Sequence, residues 1–281
     1  MVRAAGVSSQ VTPALRPAPW WLRVFFLVNV AQDFAIGISG ALSPARALIP
    51  LKGLSPLNTR FVSALYLGGG VVILLAVFVR YAVDARIALY AFLVINVLVL
   101  VMTSVYWQEF TVDGTPWLWM TTYIVNPLLT PLILATLGFR VAAEPGRHRL
   151  TLLFHAQAIV FGGAGILLTL APEAAVGIWP WTLTPLLSRV YGSFFLAFAV
   201  GALLAARERR RAALRPFLVG SLALLVCTLA ASLAHLDRLH EGPSRLLWFA
   251  AHVIGVAIFA IAMATLSRGA RPRGSPVVAE P

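Results

Sequence analysis

The sequence predicts an all-α membrane protein in which eight transmembrane helices form two tandem, parallel four-helix repeats. Composition, the spacing of apolar segments and an internal repeat predict this fold. Of the 281 residues, 60% are hydrophobic and only 11% are charged, and the mean hydropathy is +0.87. Because a soluble domain carries roughly 25% charged residues, the composition indicates a chain that crosses a lipid bilayer several times.

Eight apolar segments have the length of about 20 residues that a helix needs to cross the bilayer core. They lie near residues 20–40, 60–80, 86–107, 117–138, 150–171, 187–206, 213–235 and 245–267. The first contains polar residues that a cleaved signal sequence would lack, so we expect it to be retained as a span. We divide the chain into an N-terminal cytoplasmic tail (1–19), a first repeat (20–140), a second repeat (150–267) and a disordered cytoplasmic tail (268–281).

The basic residues predict the orientation of these spans. If the N-terminus is cytoplasmic, 16 of the 22 basic residues fall on that side, and the others are Arg46, Lys52, Arg60, Arg189, Arg238 and Arg245. The positive-inside rule then favours cytoplasmic positions for both termini. Every basic residue except Lys52 is arginine, as is typical of a GC-rich bacterial genome, so we expect a multi-pass protein of a bacterial cytoplasmic membrane.

The net charge of +12 does not indicate a nucleic-acid partner, because the basic residues form short clusters between apolar runs rather than one basic face. The expected partner is the lipid bilayer. The densest cluster, ARERRRAALR at 206–215, is interpreted as a topological anchor, with binding of anionic lipid as the alternative.

An internal repeat relates the two halves of the chain. LSPLNTR at 54–60 matches LTPLLSR at 183–189, a shift of 129 residues, and the same shift places Arg80 on Arg209 and Trp119 on Trp248. Each unit has an even number of spans, so both units enter the membrane from the same side. The repeat is therefore predicted to be parallel, with a pseudo-two-fold axis along the membrane normal.

The second copy of this motif extends to WPWTLTPLLSR, which we predict to be an interfacial loop containing Trp179, Pro180, Trp181 and Arg189. Indole rings favour headgroup depth and proline ends a regular helix. We expect Thr182 or Thr184 to cap the helix that follows. A loop that gates a ligand is the alternative interpretation.

The segments TRFVSALYLGGG and SRVYGSFFLAFAVG each open a second helix with arginine and continue into small residues. Four-helix units of this kind resemble the DoxX-like group of small membrane proteins. The longer run WPWTLTPLLSRVYGSFFLAFAVGALLAARE is similar to bacterial integral membrane proteins built from two such units. The resemblance implies a link to thiosulfate and quinone chemistry, which no residue of this chain indicates independently.

A polar stripe in the first span is the candidate polar site. Asn29, Gln32 and Asp33 have the i, i+3, i+4 spacing that places side chains on one helix face. Ionisable groups inside a membrane are costly and commonly functional. Either Asp33 pairs with Arg60 to fix the first helix on the second, or its carboxylate serves a proton or a solute. In the second repeat Phe161 replaces Asp33.

Other features favour structural interpretations. The histidines at 235, 240 and 252 could ligate haem or a metal, but their counterparts in the first repeat include tyrosines, which favours hydrogen bonding. Asn126-Pro127 and Pro131 are expected to break the fourth helix, giving a kink or a cavity wall. With the single Cys227 and no catalytic motif, we expect neither a cofactor nor a metal.

We therefore expect a non-enzymatic membrane protein with a structural or accessory role toward another membrane protein. The first alternative is a carrier or binder of a small lipophilic or weakly charged molecule that uses a cavity near Asp33. The second alternative is a quinone-linked redox subunit, which is implied only by the DoxX-like resemblance.

Overall fold

The computed structural model describes residues 15–110, 115–138 and 148–268. Residues 1–14 and 269–281, which make up most of the two predicted tails, lie outside the described residues. The described chain is helical and contains eight helices that are long and apolar enough to cross a membrane. The prediction of an all-α membrane protein with eight potential spans is confirmed.

The described residues form nine α-helices, of which all but the short α6 are potential spans. Their bounds are α1 Trp20–Leu42, α2 Pro56–Val77, α3 Arg86–Val105, α4 Thr115–Leu137, α5 Thr151–Leu170, α6 Pro172–Ile178, α7 Pro185–Ala206, α8 Arg211–Leu233 and α9 Pro243–Arg268. The helix α6 has only seven residues and is too short to cross a membrane. It lies between the fifth and sixth predicted spans and was not predicted.

Local chemistry sets the starts of α2 and α7. Proline occupies the first helical position of both helices, where its missing N–H costs nothing. The Ser55 hydroxyl accepts a hydrogen bond from the Asn58 N–H, and the Thr184 hydroxyl accepts one from the Leu187 N–H, each at 3.2 Å. These side chains satisfy backbone donors that the first turn leaves free, which confirms Thr184 as a helix cap.

The two halves of the chain interlock rather than pack as separate bundles. In the centre, α2 packs along α8 and α3 packs along α7, while α1 and α5 flank α2 and α7 respectively. The helices α4 and α9 flank α3 and α8. At the α2–α8 contact, a Cβ atom on Gly68 would lie 2.7 Å from Leu224 Cβ, so only glycine permits this close approach.

We name the two ends of the helix assembly by their composition. The arginine-rich end contains the C-termini of α2 and α7 and the N-termini of α1, α3, α5 and α8, with Arg80, Arg86 and the 207–211 arginines. The opposite end contains the α6–α7 loop with Trp179 and Trp181. Assignment of the arginine-rich end to the cytoplasm remains a prediction.

The helix α4 differs from expectation. It runs without interruption from Thr115 to Leu137 although Pro127 and Pro131 lie inside it, so the predicted break is wrong. Neighbouring turns hold the helix together, and the prolines remove only two backbone donors. Because proline has no N–H, the carbonyl oxygen of Tyr123 loses the donor that the residue four positions later would supply.

Candidate functional site

A polar cavity of about 50 Å³ lies inside the helix assembly, between its middle and the arginine-rich end. Its polar lining residues are Asn29, Gln32, Asp33, Tyr66, Asn96, Thr122, Tyr123 and Asn126. Asn29, Asn96 and Asn126 occupy the central turns of α1, α3 and α4. If these helices span a bilayer, the site lies at the depth where polar groups are most expensive.

Three buried asparagines, which we call the asparagine triad, join α1, α3 and α4. The Asn126 Nδ2 group donates to Asn29 Oδ1 at 2.8 Å and to Asn96 Oδ1 at 3.1 Å. Asn29 and Asn96 each donate to the backbone carbonyl four residues earlier, at 2.8 and 2.7 Å. Each amide nitrogen of the triad therefore donates inside the protein, and both N–H groups of Asn126 are used.

A pair of buried tyrosines adjoins the triad. The hydroxyl groups of Tyr66 on α2 and Tyr123 on α4 share a short hydrogen bond, and both rings contact Trp119. The Trp119 indole donates to Thr103 Oγ1 at 3.2 Å. The tyrosine pair thus connects α2 to α4 at the same level as the triad.

Asp33 is the only acidic or basic residue among the described residues that line the cavity. It is half-buried, and its carboxylate makes no hydrogen bond or ion pair with any residue in the described ranges. The helix α2 approaches closely here, since a Cβ atom on Gly70 would lie 3.2 Å from Asp33 Cβ. The carboxylate therefore meets the cavity without a counter-charge from the part of the chain that the structure describes.

Arg60 does not form the expected pair with Asp33. Its Nε atom donates to the Ala41 carbonyl at 3.1 Å, and a terminal guanidinium nitrogen lies 2.6 Å from His235 Nε2. Asp33 instead faces Gly70, ten residues further along α2. At 1.5 Å per residue this is about 15 Å of helix, which is farther than an arginine side chain extends.

The remaining walls of the cavity are aromatic and aliphatic. Phe92, Phe194, Phe198 and Phe217 contribute phenyl rings, and Phe198 packs on Phe217 with ring centroids 5.8 Å apart. Phe217 lies in the second turn of α8, close to the arginine-rich end. The cavity thus combines one carboxylate and several amides with a wall of aromatic rings.

Two buried ion pairs close the arginine-rich end. Arg210 Nε lies 2.7 Å from Asp84 Oδ1, and Arg86 lies 3.6 Å from the Glu208 carboxylate. Both acidic side chains are fully buried. Each pair joins the first half of the chain to the second. The sequence favoured a topological anchor for this arginine cluster, with binding of anionic lipid as the alternative. It did not indicate the two acidic partners, although acidic residues are rare in this chain.

The WPW loop packs inside the protein. Trp181 is 1% exposed, its Nε1–H donates to Asn58 Oδ1 at 2.8 Å, and Tyr191 donates to the same oxygen at 3.0 Å. The ring of Trp179 stacks edge-on against Trp181 and Trp248. Because Asn58 offers an acceptor for the indole, Trp181 enters the core and does not face lipid headgroups.

The other members of the predicted loop have separate partners. The carbonyl of Pro180 accepts from the His240 N–H at 2.8 Å. The guanidinium of Arg189 lies over the Tyr106 ring, 5.3 Å from its centroid. None of the four loop residues lines the cavity around Asp33.

The histidines do not converge on one site. His252 is hydrogen bonded to Thr228 at 3.1 Å and to the Trp248 carbonyl at 2.8 Å, whereas His235 contacts Arg60 and His240 contacts the WPW loop. Within the described ranges, no group of three or more His, Cys, Asp or Glu residues could hold a metal ion.

No protein-family model matches the chain, and no curated protein or solved structure matches it either. The resemblance to the DoxX-like group stays a prediction. Any assignment of function therefore rests on the geometry of the cavity.

Proposed function

We propose that this polytopic protein is a non-enzymatic carrier or binder of a small molecule, which it holds in the intramembrane cavity beside Asp33. The observation that carries the proposal is the carboxylate of Asp33, which lines the cavity without a partner among the described residues. An ionised carboxylate inside a membrane costs several kcal/mol unless it is compensated. A bound ligand supplies that compensation.

A purely structural role for these polar groups has less support. The shift of 128 or 129 residues aligns Asn29, Asp33 and Asn96 with Gln157, Phe161 and Leu225. If the halves are repeats, α5, α7 and α8 pack in the second half without a carboxylate or an asparagine triad. A carboxylate is then not a general requirement for packing a unit of this kind, and Asp33 is free to serve a ligand.

The seam between α1 and α4 supports entry of the ligand from the side. The main link between these two helices at this level is the hydrogen bond from Asn126 to Asn29. Gln32, Asp33 and Thr122 are half-buried at the same seam. A ligand could therefore reach the carboxylate from the side of the protein, without crossing either of its ends.

The size of the cavity argues against the quinone-linked alternative. A volume of about 50 Å³ admits only a few water-sized groups, and a quinone ring is larger. The structural or accessory role predicts that no small molecule binds. The protein is proposed to lie in the bacterial cytoplasmic membrane, in contact with the lipid bilayer, with both termini in the cytoplasm.

Thermal unfolding in mild detergent with a panel of small solutes tests this proposal. The panel contains cations, neutral molecules and anions of a few non-hydrogen atoms. We expect at least one solute to raise the Tm of the wild type and of Gln157→Leu, but not that of Asn126→Leu. Gln157→Leu is the control because Gln157 is a buried amide outside the cavity. If no solute stabilises the wild type, the structural or accessory role is favoured.

A further inference from the structure

We infer that the ligand is a small organic cation that carries N–H groups and takes Asp33 as its counter-ion. This inference rests on the proposed function and names its ligand class. Four independent features of the cavity point to the same class: its charge, the direction of its hydrogen bonds, its aromatic wall and its volume.

The charge of the cavity excludes anions. Asp33 is the only acidic or basic side chain among the described residues lining it. The arginines Arg60 and Arg86, which lie on the lining helices α2 and α3, have other partners: Arg60 contacts Ala41 and His235, and Arg86 contacts Glu208. A cation would compensate the carboxylate, whereas an anion would add a second uncompensated charge to a site of low dielectric constant.

The hydrogen bonds of the cavity leave acceptors for a ligand. The Asn126 Nδ2 group is used by Asn29 and Asn96, so Asn126 presents its Oδ1 atom, which has no donor among the described residues although the side chain is only 5% exposed. Pro127 removes the helical donor for the Tyr123 carbonyl. Together with the Asp33 carboxylate, these acceptors favour a ligand that donates hydrogen bonds.

The aromatic wall suits a cation that is weakly hydrated. The phenyl rings of Phe92, Phe194, Phe198 and Phe217 line the cavity together with its polar groups. A cation close to the face of an aromatic ring is attracted by the ring quadrupole, and the attraction strengthens when water is excluded. This wall favours organic cations over metal ions, for which it offers no ligand atoms.

The volume limits the size of the ligand. A cavity needs roughly 10–15 Å³ to hold one water molecule. The cavity of about 50 Å³ therefore holds a group of roughly three to five non-hydrogen atoms. Guanidinium and short alkylammonium ions fit this limit. Long-chain amines do not.

Guanidinium, urea and nitrate provide a matched set of probes, since all three are planar and nearly equal in size but differ in charge. Equilibrium dialysis of radiolabelled guanidinium, at millimolar concentrations that leave the protein folded, measures binding directly. We expect saturable binding to the wild type that methylammonium displaces and that urea and nitrate do not. Asp33→Asn should weaken this binding by at least about tenfold.

Two variants keep this experiment interpretable. Asp237→Asn removes a carboxylate that is 72% exposed and lies far from the cavity, so its binding should equal that of the wild type. Asp33→Glu keeps the charge and should retain part of the binding, which separates loss of charge from misfolding.

The outcomes distinguish the inference from the proposed function. Binding of urea equal to that of guanidinium, unchanged in Asp33→Asn, would overturn the cation but leave a small-molecule site. Absence of binding by guanidinium, methylammonium, urea and nitrate would overturn both.

Discussion

At the scale of single residues, Asn126 holds the cavity together because one amide group serves two partners on two other helices. It donates to Asn29 and to Asn96 and thereby fixes α1 and α3 around α4. A buried polar atom that loses its partner costs about 1–3 kcal/mol, so this position couples stability to the shape of the site.

We predict that Asn126→Leu lowers the free energy of unfolding by about 1–3 kcal/mol. The leucine leaves the Oδ1 atoms of Asn29 and Asn96 without their donor. Thr136→Val, an exposed substitution on the same helix, is the control and should change stability by less than about 0.5 kcal/mol. Denaturant unfolding in mild detergent measures the difference. Equal stability of the two variants would show that the triad contributes nothing.

His235 gives a prediction about pH. Burial and the neighbouring Arg60 charge lower the pKa of His235, although Asp237 acts in the opposite direction. The unfolded state, with an ordinary pKa of about 6.5, then binds the proton more readily than the folded state. The free energy of unfolding should therefore be independent of His235 above pH 6.5 and should fall as the pH drops below that value.

We expect the loss to be less than about 1 kcal/mol, because His235 is near the protein surface. Thermal unfolding of the wild type and of His235→Gln between pH 7.5 and pH 5 measures it. His155→Gln, at an exposed histidine elsewhere, is the control. A pH profile of His235→Gln that matches the wild type would contradict the role of the Arg60–His235 contact.

At the scale of helices and loops, two contacts join the first half of the chain to the second half, one at each end of the helix assembly. The pair between Asp84, in the short 3₁₀ segment Ala82–Ala85, and Arg210, in the turn before α8, joins the halves at the arginine-rich end. At the opposite end, Asn58 of α2 accepts hydrogen bonds from Trp181 and Tyr191. Both contacts bring together residues that are more than a hundred positions apart.

Asp84→Asn is predicted to destabilise the protein by about 3–5 kcal/mol, since it removes one partner of a buried ion pair. The same change at Asp237, whose pair with Arg238 is exposed, should cost at most about 1 kcal/mol. Chemical unfolding at low and high salt compares them. A small effect at Asp84 that salt abolishes would mean that the pair is solvated.

The two tryptophans of the WPW loop form a second matched comparison. Trp181 donates to Asn58, whereas the indole N–H of Trp179 is buried without a partner among the described residues. Replacement by phenylalanine removes a hydrogen bond only at 181, so Trp181→Phe should cost about 1 kcal/mol more than Trp179→Phe. Thermal unfolding followed by tryptophan fluorescence tests the order, and a reversed order would contradict the contact.

At the scale of the whole molecule, the fold was more predictable than the site. Bilayer thickness fixes the length of each span, so the apolar segments predict eight helices from local sequence alone. Asn29, Gln32 and Asp33 were found because their spacing places them on one helix face. The hydrogen bonds of Asn126 to Asn29 and Asn96 were not predicted. These contacts depend on the relative positions of α1, α3 and α4 along the membrane normal.

The same limit explains the failed Asp33–Arg60 pair. Arg60 is close along the chain but enters α2 at the opposite end of the assembly, and depth rather than sequence distance decides which side chains meet. A similar depth in the membrane could have predicted the asparagine triad from the sequence, because Asn29, Asn96 and Asn126 each lie about midway along their helices.

Several contacts support the proposed internal repeat. Trp119 donates to Thr103 and Trp248 donates to Ser232, and each member of the second pair lies 129 positions after its counterpart. A Cβ atom on Gly37 would meet Leu67, and one on Gly165 would meet Leu196, at 2.7 and 2.8 Å. The repeat remains a prediction, and it implies a parallel arrangement in which both halves share one orientation.

The topology that follows from this arrangement is testable. Reporter fusions after Arg80 and after Arg211 should both read cytoplasmic, because both positions lie at the arginine-rich end. Fusions after Arg60 and Arg189 should read the opposite side. A cytoplasmic signal at either of the latter positions, or a periplasmic signal at either of the former, would overturn the orientation.

The central claim is that the cavity beside Asp33 binds a small cation. The most direct measurement is a cryo-electron microscopy map of the protein in nanodiscs with a bound antibody fragment, recorded with guanidinium and with urea. We predict density between Asp33 and Asn126 with guanidinium, absent with urea and in Asp33→Asn. An empty cavity in saturating guanidinium, or equal density in Asp33→Asn, would contradict the claim.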